Sequence, residues 1–212
     1  MPATPADVTR FFDGCFATVQ VMAILRGHPP ERTVELAERA WDLGVTQVEV
    51  PLHDPDALPS LRAAVAAGAR RGLSVGAGTV TTPERLRLAE EAGAAFTVAP
   101  GYDEDVLDAS LAAGIPHLPG VSTPSEAGRA RRRGLHWVKA FPASHLGPAW
   151  VQAVRAPFPE LRIVATGGVD AENAASFLRA GARVVALGTA LADPTQLDRV
   201  APLIARTDAP DR

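Results

Sequence analysis

Residues 132–141 read RRGLHWVKAF. Two arginines suited to the polar end of a helix lead into Gly134, and the run after it is apolar apart from His136 and Lys139. A glycine just past a helix supplies the left-handed residue that turns the chain out of it. The stretch therefore reads as helix end, tight turn and buried strand. The same unit recurs at DLGVTQVEV (42–50), RRGLSVGAGT (70–79), EAGAAFTVAPG (91–101), AAGIPHLPGV (112–121) and RAGARVVALG (179–188). These strands show little polar alternation, as parallel strands buried on both faces should.

Apolar runs predict eight strands, at 20–25, 47–52, 74–78, 96–99, 117–121, 137–141, 163–166 and 184–187. Amphipathic helices are predicted between them, for example over 31–43, 83–92, 103–113 and 171–180. Several open on cap signals: Thr82-Pro83-Glu84, Thr123-Pro124-Ser125-Glu126 and Asp193-Pro194. Eight alternating units close most naturally as an α/β fold, a (β/α)8 TIM barrel with a short N-terminal helix over its base. An open doubly wound sheet competes, but eight units and the lack of a GxGxxG turn speak against it. No break in composition divides residues 1–212, which are read as one domain.

Composition narrows the function. A net charge of −3 offers no basic field for nucleic acid or anionic lipid. The tightest basic run, Arg129 with Arg131 to Arg133, reads as the solvated end of a helix. One cysteine, Cys15, excludes an intrachain disulfide and suits a reducing compartment. No charged-then-apolar leader or membrane span is read from the sequence, so a cytoplasmic protein is expected. The five histidines show no metal-ligand spacing, and neither a metal nor another cofactor is expected.

Barrel chemistry occurs at the C-terminal ends of the strands. Reading those ends in order gives Arg26, Glu49 with His53 just beyond it, Thr79, Pro100-Gly101, the segment 120–123, Lys139 with Phe141, Thr166-Gly167-Gly168, and Gly188-Thr189. Lys139 is the only lysine in the chain, against twenty arginines. Arginine keeps its proton in a protein, whereas a desolvated lysine becomes an amine that attacks a carbonyl. An acid and a lysine in strands facing one mouth fit that chemistry, although each could also be half of a structural ion pair. The glycines after strands seven and eight stand where barrels bind phosphate through backbone N–H groups. His53 and His145 lie near the mouth, while His117 and His136 sit at strand entrances.

The motifs AILRG (23–27), VEVPL (48–52), GAGTV (76–80), VAPG (98–101), PGVSTPSEA (119–127), VKAFPA (138–143), TGGV (166–169) and LGTAL (187–191) occur in order. Together they resemble the 2-keto-3-deoxy-6-phosphogluconate (KDPG) aldolases and their phosphogalactonate-specific relatives. The resemblance implies a homotrimer of barrels, a Schiff-base lysine and no metal. It implies an Entner–Doudoroff type of carbohydrate cleavage that yields pyruvate and glyceraldehyde 3-phosphate from a phosphorylated keto-deoxy sugar acid. By motif match Lys139 resembles the Schiff-base lysine and Glu49 the acid/base. Thr79, Pro100 and Phe141 resemble the pyruvate pocket, and Gly167, Gly168, Gly188 and Thr189 the phosphate site. Two departures make the chain a mosaic. His53 stands where gluconate-type enzymes have Arg, while Arg26 matches an Arg of galactonate-type enzymes. Thr166 follows the gluconate type, where galactonate-type enzymes tend to have Val. The alternatives are the same cleavage of the galactonate epimer or of 4-hydroxy-2-oxoglutarate, and more distantly a non-aldolase phosphate-binding barrel.

Overall fold

The computed structural model describes residues 1–54, 57–188 and 203–204. Its strands are β1 (Val21–Ile24), β2 (Gln47–Pro51), β3 (Val75–Gly78), β4 (Phe96–Val98), β5 (His117–Leu118), β6 (Gly120–Val121), β7 (Trp137–Ala140), β8 (Arg162–Thr166) and β9 (Val184–Leu187). The helices are α1 (Pro5–Cys15), α2 (Pro30–Asp42), α3 (Ala57–Arg70), α4 (Pro83–Glu91), α5 (Glu104–Ala113), α6 (Pro124–Arg132), α7 (Ala143–Leu146), α8 (Pro148–Arg155) and α9 (Ala174–Arg179). Every strand pairing is parallel, in the order β5-β4-β3-β2-β1-β9-β8-β7-β6. Because β5 and β6 are the two halves of one extended segment, the sheet closes on itself as a (β/α)8 barrel. The glycine units behave as their sequence predicts; Gly134, for instance, takes φ 77 at the end of α6.

The expected single strand over 117–121 is the one that differs. Pro119 has no N–H to give the ladder and splits it in two. The first half pairs with β4 and the second with β7, and the N–H of Lys139 donates to the Pro119 carbonyl at 2.8 Å. Closure also needs Gly120, where an added Cβ would lie 2.2 Å from the backbone carbonyl of Pro100.

The base of the barrel is sealed by α1. Phe12 packs against Phe96 and Trp137 with ring centroids 5.8 and 6.2 Å apart, and Phe16 lies 5.2 Å from Trp137. Gly76 leaves room for the Phe96 ring, which passes within 2.2 Å of the place where a Cβ would be. The indole N–H of Trp137 donates to Asp13 at 2.8 Å, so the one polar atom of that ring is satisfied by the helix that covers it. Cys15, at the end of α1, is a half-buried thiol that burial pushes up to about 12, which makes it unreactive. The basic run ends α6 as expected, and Arg131 and Arg133 pair with Glu160 and Asp108 near the surface. No described helix is long and apolar enough to cross a membrane.

Among the described residues, three helices begin with a threonine cap followed by proline: α1 on Thr4, α4 on Thr82 and α6 on Thr123. In α1 and α6 the residue three beyond the cap is an acid, Asp7 or Glu126, which returns a hydrogen bond to the cap. In α4 that position is Arg85.

Two measurements test this fold. Gly120→Ala should lower unfolding stability by about 2 kcal/mol or more, because backbone must shift to admit the methyl. Gly101→Ala, with no atom within 4 Å of its new Cβ, should change it by less than about 0.5 kcal/mol. His117 is fully buried, accepts or donates at Nδ1 to the Thr97 hydroxyl at 2.8 Å, and has no partner at Nε2. Burial, partly opposed by Asp103, lowers its pKa from 6.5 to about 4. Between those values the unfolded chain binds a proton that the folded chain refuses, so stability falls as pH drops through that window. The loss attributable to His117 is about 3 kcal/mol in full. Urea titrations of wild type and His117→Gln between pH 4 and 7 should show this slope flattened in the variant.

Candidate active site

Side chains alternate across a strand, so the registers decide which residues face the barrel axis. Ile24, Glu49, Gly76 and Phe96 are paired neighbours in one row, and Gly120, Lys139, Val164 and Val184 form another. Continuing from these rows toward the strand ends in steps of two residues reaches Arg26, Pro51, Gly78, Pro100, Phe141, Thr166 and Gly188 around the mouth. Of the expected site residues, Arg26, Glu49, Pro100, Lys139, Phe141, Thr166 and Gly188 share this parity, and Thr79, one residue past Gly78, does not.

Glu49 is only 1% exposed and its carboxylate lies across Gly78, with Oε1 1.8 Å from the position a Cβ would take there. Gly78 is therefore the notch that admits the acid. Lys139 is 3% exposed, and its Nζ lies 5.1 Å from the centre of the Phe141 ring. Neither oxygen of Glu49 has a hydrogen-bond partner, so acid and amine face the same interior without a direct bond. The Thr166 hydroxyl is likewise buried without a partner. Unpaired buried polar groups are costly, and a cluster of them at one mouth marks a place where a polar ligand completes the bonding.

Burial pushes the Glu49 carboxyl above the ordinary carboxylate range, against the pull of Lys139 and Arg26. Burial pushes the Lys139 ammonium down, with Glu49 opposing and Arg26 reinforcing the shift. Both shifts run toward the uncharged forms, which are the ones a nucleophilic amine and a proton-donating acid use. Arg26 is exposed and has no side-chain partner among the described residues, so its charge is open to a ligand.

His53, expected near the substrate, is held within its own loop. Its Nδ1 meets the Pro51 carbonyl at 3.2 Å and its Nε2 the Asp54 carboxylate at 2.7 Å. Both nitrogens are occupied by acceptors of its own loop. His145 is exposed on α7 beside Ser144, with Nδ1 3.3 Å from the serine hydroxyl.

Past Lys139 the wall continues through Phe141 to the double glycine. Gly167 and Gly168 both take left-handed conformations, φ 93 and 68. A Cβ on Gly167 would lie 2.9 Å from the Phe141 ring, and one on Gly168 would lie 2.3 Å from the Ser144 hydroxyl oxygen. The Ser144 N–H donates to the Gly167 carbonyl at 2.9 Å, and the Asn173 amide donates to the Gly168 carbonyl at 2.9 Å. The carbonyls are thus tied back, while neither glycine N–H donates to a described acceptor. Gly188, just past the end of β9, completes this side beside β1. Thr189, expected here, lies outside the described residues.

Three residues of the rim were not singled out from the sequence. Ser144 braces the double glycine. Glu126 accepts from the N–H and hydroxyl groups of Ser122 and Thr123 and so pins the loop after β6. Burial pushes its carboxyl up, but these donors outweigh burial and hold it below its ordinary value. Arg85 spans the loops after β2 and β3, one of which contains Thr79 at φ 58. That conformation costs a β-branched residue about 1–3 kcal/mol. Among the described residues no three His, Cys, Asp or Glu side chains gather as metal ligands would.

A family model, KDPG and KHG aldolase, matches residues 13–201. A protein of Rhizobium meliloti (strain 1021) named "Probable 2-dehydro-3-deoxy-6-phosphogalactonate aldolase" is 37% identical over 175 residues, 82% of each chain. The 2-dehydro-3-deoxy-phosphogluconate aldolase of Treponema pallidum (strain Nichols) is 35% identical over 182 residues, 84% of each chain. The fold is similar to the crystal structure of KDPG aldolase from Legionella pneumophila, with pyruvate captured at low pH as a covalent carbinolamine intermediate. The TM-score is 0.77 at 27% identity, over 92% of this chain and 97% of that one. A match across nearly the whole barrel, with relatives more than a third identical over most of their length, shows that this chain belongs to the KDPG and KHG aldolase family.

Proposed function

We propose that this protein is a class I aldolase that cleaves 2-keto-3-deoxy-6-phosphogluconate to pyruvate and D-glyceraldehyde 3-phosphate. The observation that carries the proposal is the buried, unbonded pair of Lys139 and Glu49 at the barrel mouth. The neutral amine of Lys139 attacks C2 of the ketone and forms a carbinolamine. Glu49, as the acid, delivers a proton to the departing hydroxyl; water leaves and an iminium forms. The iminium accepts the electron pair of the C3–C4 bond as Glu49, now carboxylate, takes the proton of the C4 hydroxyl. Glyceraldehyde 3-phosphate departs. The enamine is protonated at C3, and water hydrolyses the iminium to pyruvate and free Lys139. Phe141 and Pro100 exclude bulk water, which strengthens each electrostatic contact in the pocket. The covalent carbinolamine of the Legionella pneumophila relative supports the same amine chemistry here.

In this reading the distal phosphate lies against Gly167, Gly168 and Gly188, with Thr189 as a further donor, and Thr79 and Thr166 contact the pyruvate half. The family likeness supports a homotrimer, a cytoplasmic location and a role in Entner–Doudoroff carbohydrate metabolism. Arg26 gives specific support to a second reading, the same cleavage of 2-keto-3-deoxy-6-phosphogalactonate. It is the open cation whose charge reaches Glu49 and Lys139, whereas His53 is held by its own loop.

Borohydride reduction in the presence of pyruvate should add one lactyl-sized mass to the peptide carrying Lys139. The isosteric Lys139→Met should stay folded, trap nothing there and lose activity by several orders of magnitude. An adduct confined to the N-terminal amine would refute the assignment. Arg26→Ala should raise the pyruvate concentration for half-maximal trapping by about tenfold, the scale of losing a hydrogen bond from a charged group. His53→Ala should change it far less. The opposite ranking would make His53, not Arg26, the partner of the substrate carboxylate.

A further inference from the structure

We infer that Arg85 is a positioning residue that sets the pyruvate side of the mouth by holding Thr79 in its left-handed conformation and joining its loop to the one after β2. The inference rests on the reading of Thr79 as part of the pyruvate pocket.

The first reason is local. Arg85 sits in the first turn of α4, where the helix dipole disfavours a cation and where the other two threonine-capped helices carry an acid. Thr82 still caps the Arg85 N–H at 3.2 Å, but no side chain returns the bond. An arginine in this place gives up the reciprocal cap that Asp7 and Glu126 make.

The second reason is what the guanidinium does instead. Its Nη1 donates to the Thr81 hydroxyl at 2.9 Å and to the Thr79 carbonyl at 3.3 Å, and its Nη2 donates to the His53 carbonyl at 3.4 Å. One planar fork therefore ties together the ends of two adjacent strands, a geometry that suits arginine and that a lysine cannot span in the same way. Thr79 is the only non-glycine residue with positive φ among the described residues. The bond to its carbonyl holds the 79–80 peptide, and with it ψ of Thr79, on one side of that conformation, while on the other side the Gly78 carbonyl accepts from the Leu52 N–H at 2.8 Å. The left-handed turn also breaks the inward-outward alternation of β3 immediately after Gly78, the residue that seats Glu49. Arg85 thus acts on the site through Thr79 without touching the substrate.

The test is a double-mutant cycle read by the pyruvate dependence of borohydride trapping at Lys139. Arg85→Gln removes the fork while allowing glutamine to rebuild the reciprocal cap with Thr82, so the melting temperature should hold. The half-maximal pyruvate concentration should rise about tenfold, the scale of losing hydrogen bonds from a charged group. Arg85→Lys should fall between wild type and Arg85→Gln. In a Thr79→Gly background, where the left-handed conformation is free, Arg85→Gln should have less than about a threefold effect. An equal effect in both backgrounds, or a lower melting temperature with unchanged pyruvate dependence, would overturn the inference and leave the aldolase reading intact. A wild-type chain that traps no pyruvate would overturn both.

Discussion

The hydrogen bond from the Lys139 N–H to the Pro119 carbonyl, 2.8 Å long, joins the last gap of the barrel. It also sets the register of β7, and register decides which face each side chain takes. A slip of one residue would point Val138 and Ala140 at the axis and turn Lys139 toward the helices. Closure and chemistry are therefore the same constraint. Pro119 cannot donate to a ladder, yet its carbonyl is what the lysine strand needs, and Gly120 brings that carbonyl within reach by presenting no side chain to Pro100.

The same economy of glycine governs the interior. Gly76 seats an aromatic ring at the base and Gly78, two residues on, seats a carboxylate at the mouth. The strand between the acid strand and the aromatic strand is thus a bare rail, and bulk from both neighbours folds over it. Burying Glu49 and Lys139 without a direct bond leaves each in an environment that disfavours its charge, and Arg26 adds a field that favours a carboxylate beside a neutral amine. The base of the barrel needs none of this polarity. There α1 and its phenylalanines make a dry aromatic floor.

Most of the architecture was legible because the glycine-and-strand unit is a local signal, repeated until only a barrel fits. That Lys139 and Phe141 face one side was also legible, since residues two apart in one strand share a face; that Glu49 and Thr166 join them depends on register. The break at Pro119 was passed over: an apolar run hides the loss of one N–H until the partner strands are known. His53 looked like a ligand because it follows β2, but the neighbour that captures it, Asp54, is visible only once the loop has a shape. The role of Arg85 was hidden for a similar reason. Its partner His53 lies 32 residues away, and the positive φ of Thr79 leaves no mark on residue type. The departure from the acidic pattern of the other two capped helices was the available signal.

Lys139 is nearly inaccessible, and every other basic side chain that is not histidine is an arginine. A guanidinium does not condense with a simple aldehyde or ketone to give an imine, as a primary amine does. The arginines of this chain therefore do not form imines with the carbonyl compounds that the proposed reaction handles. Electrophilic sugars that would decorate a lysine-rich protein find a single side-chain target, reached only through the mouth of the barrel.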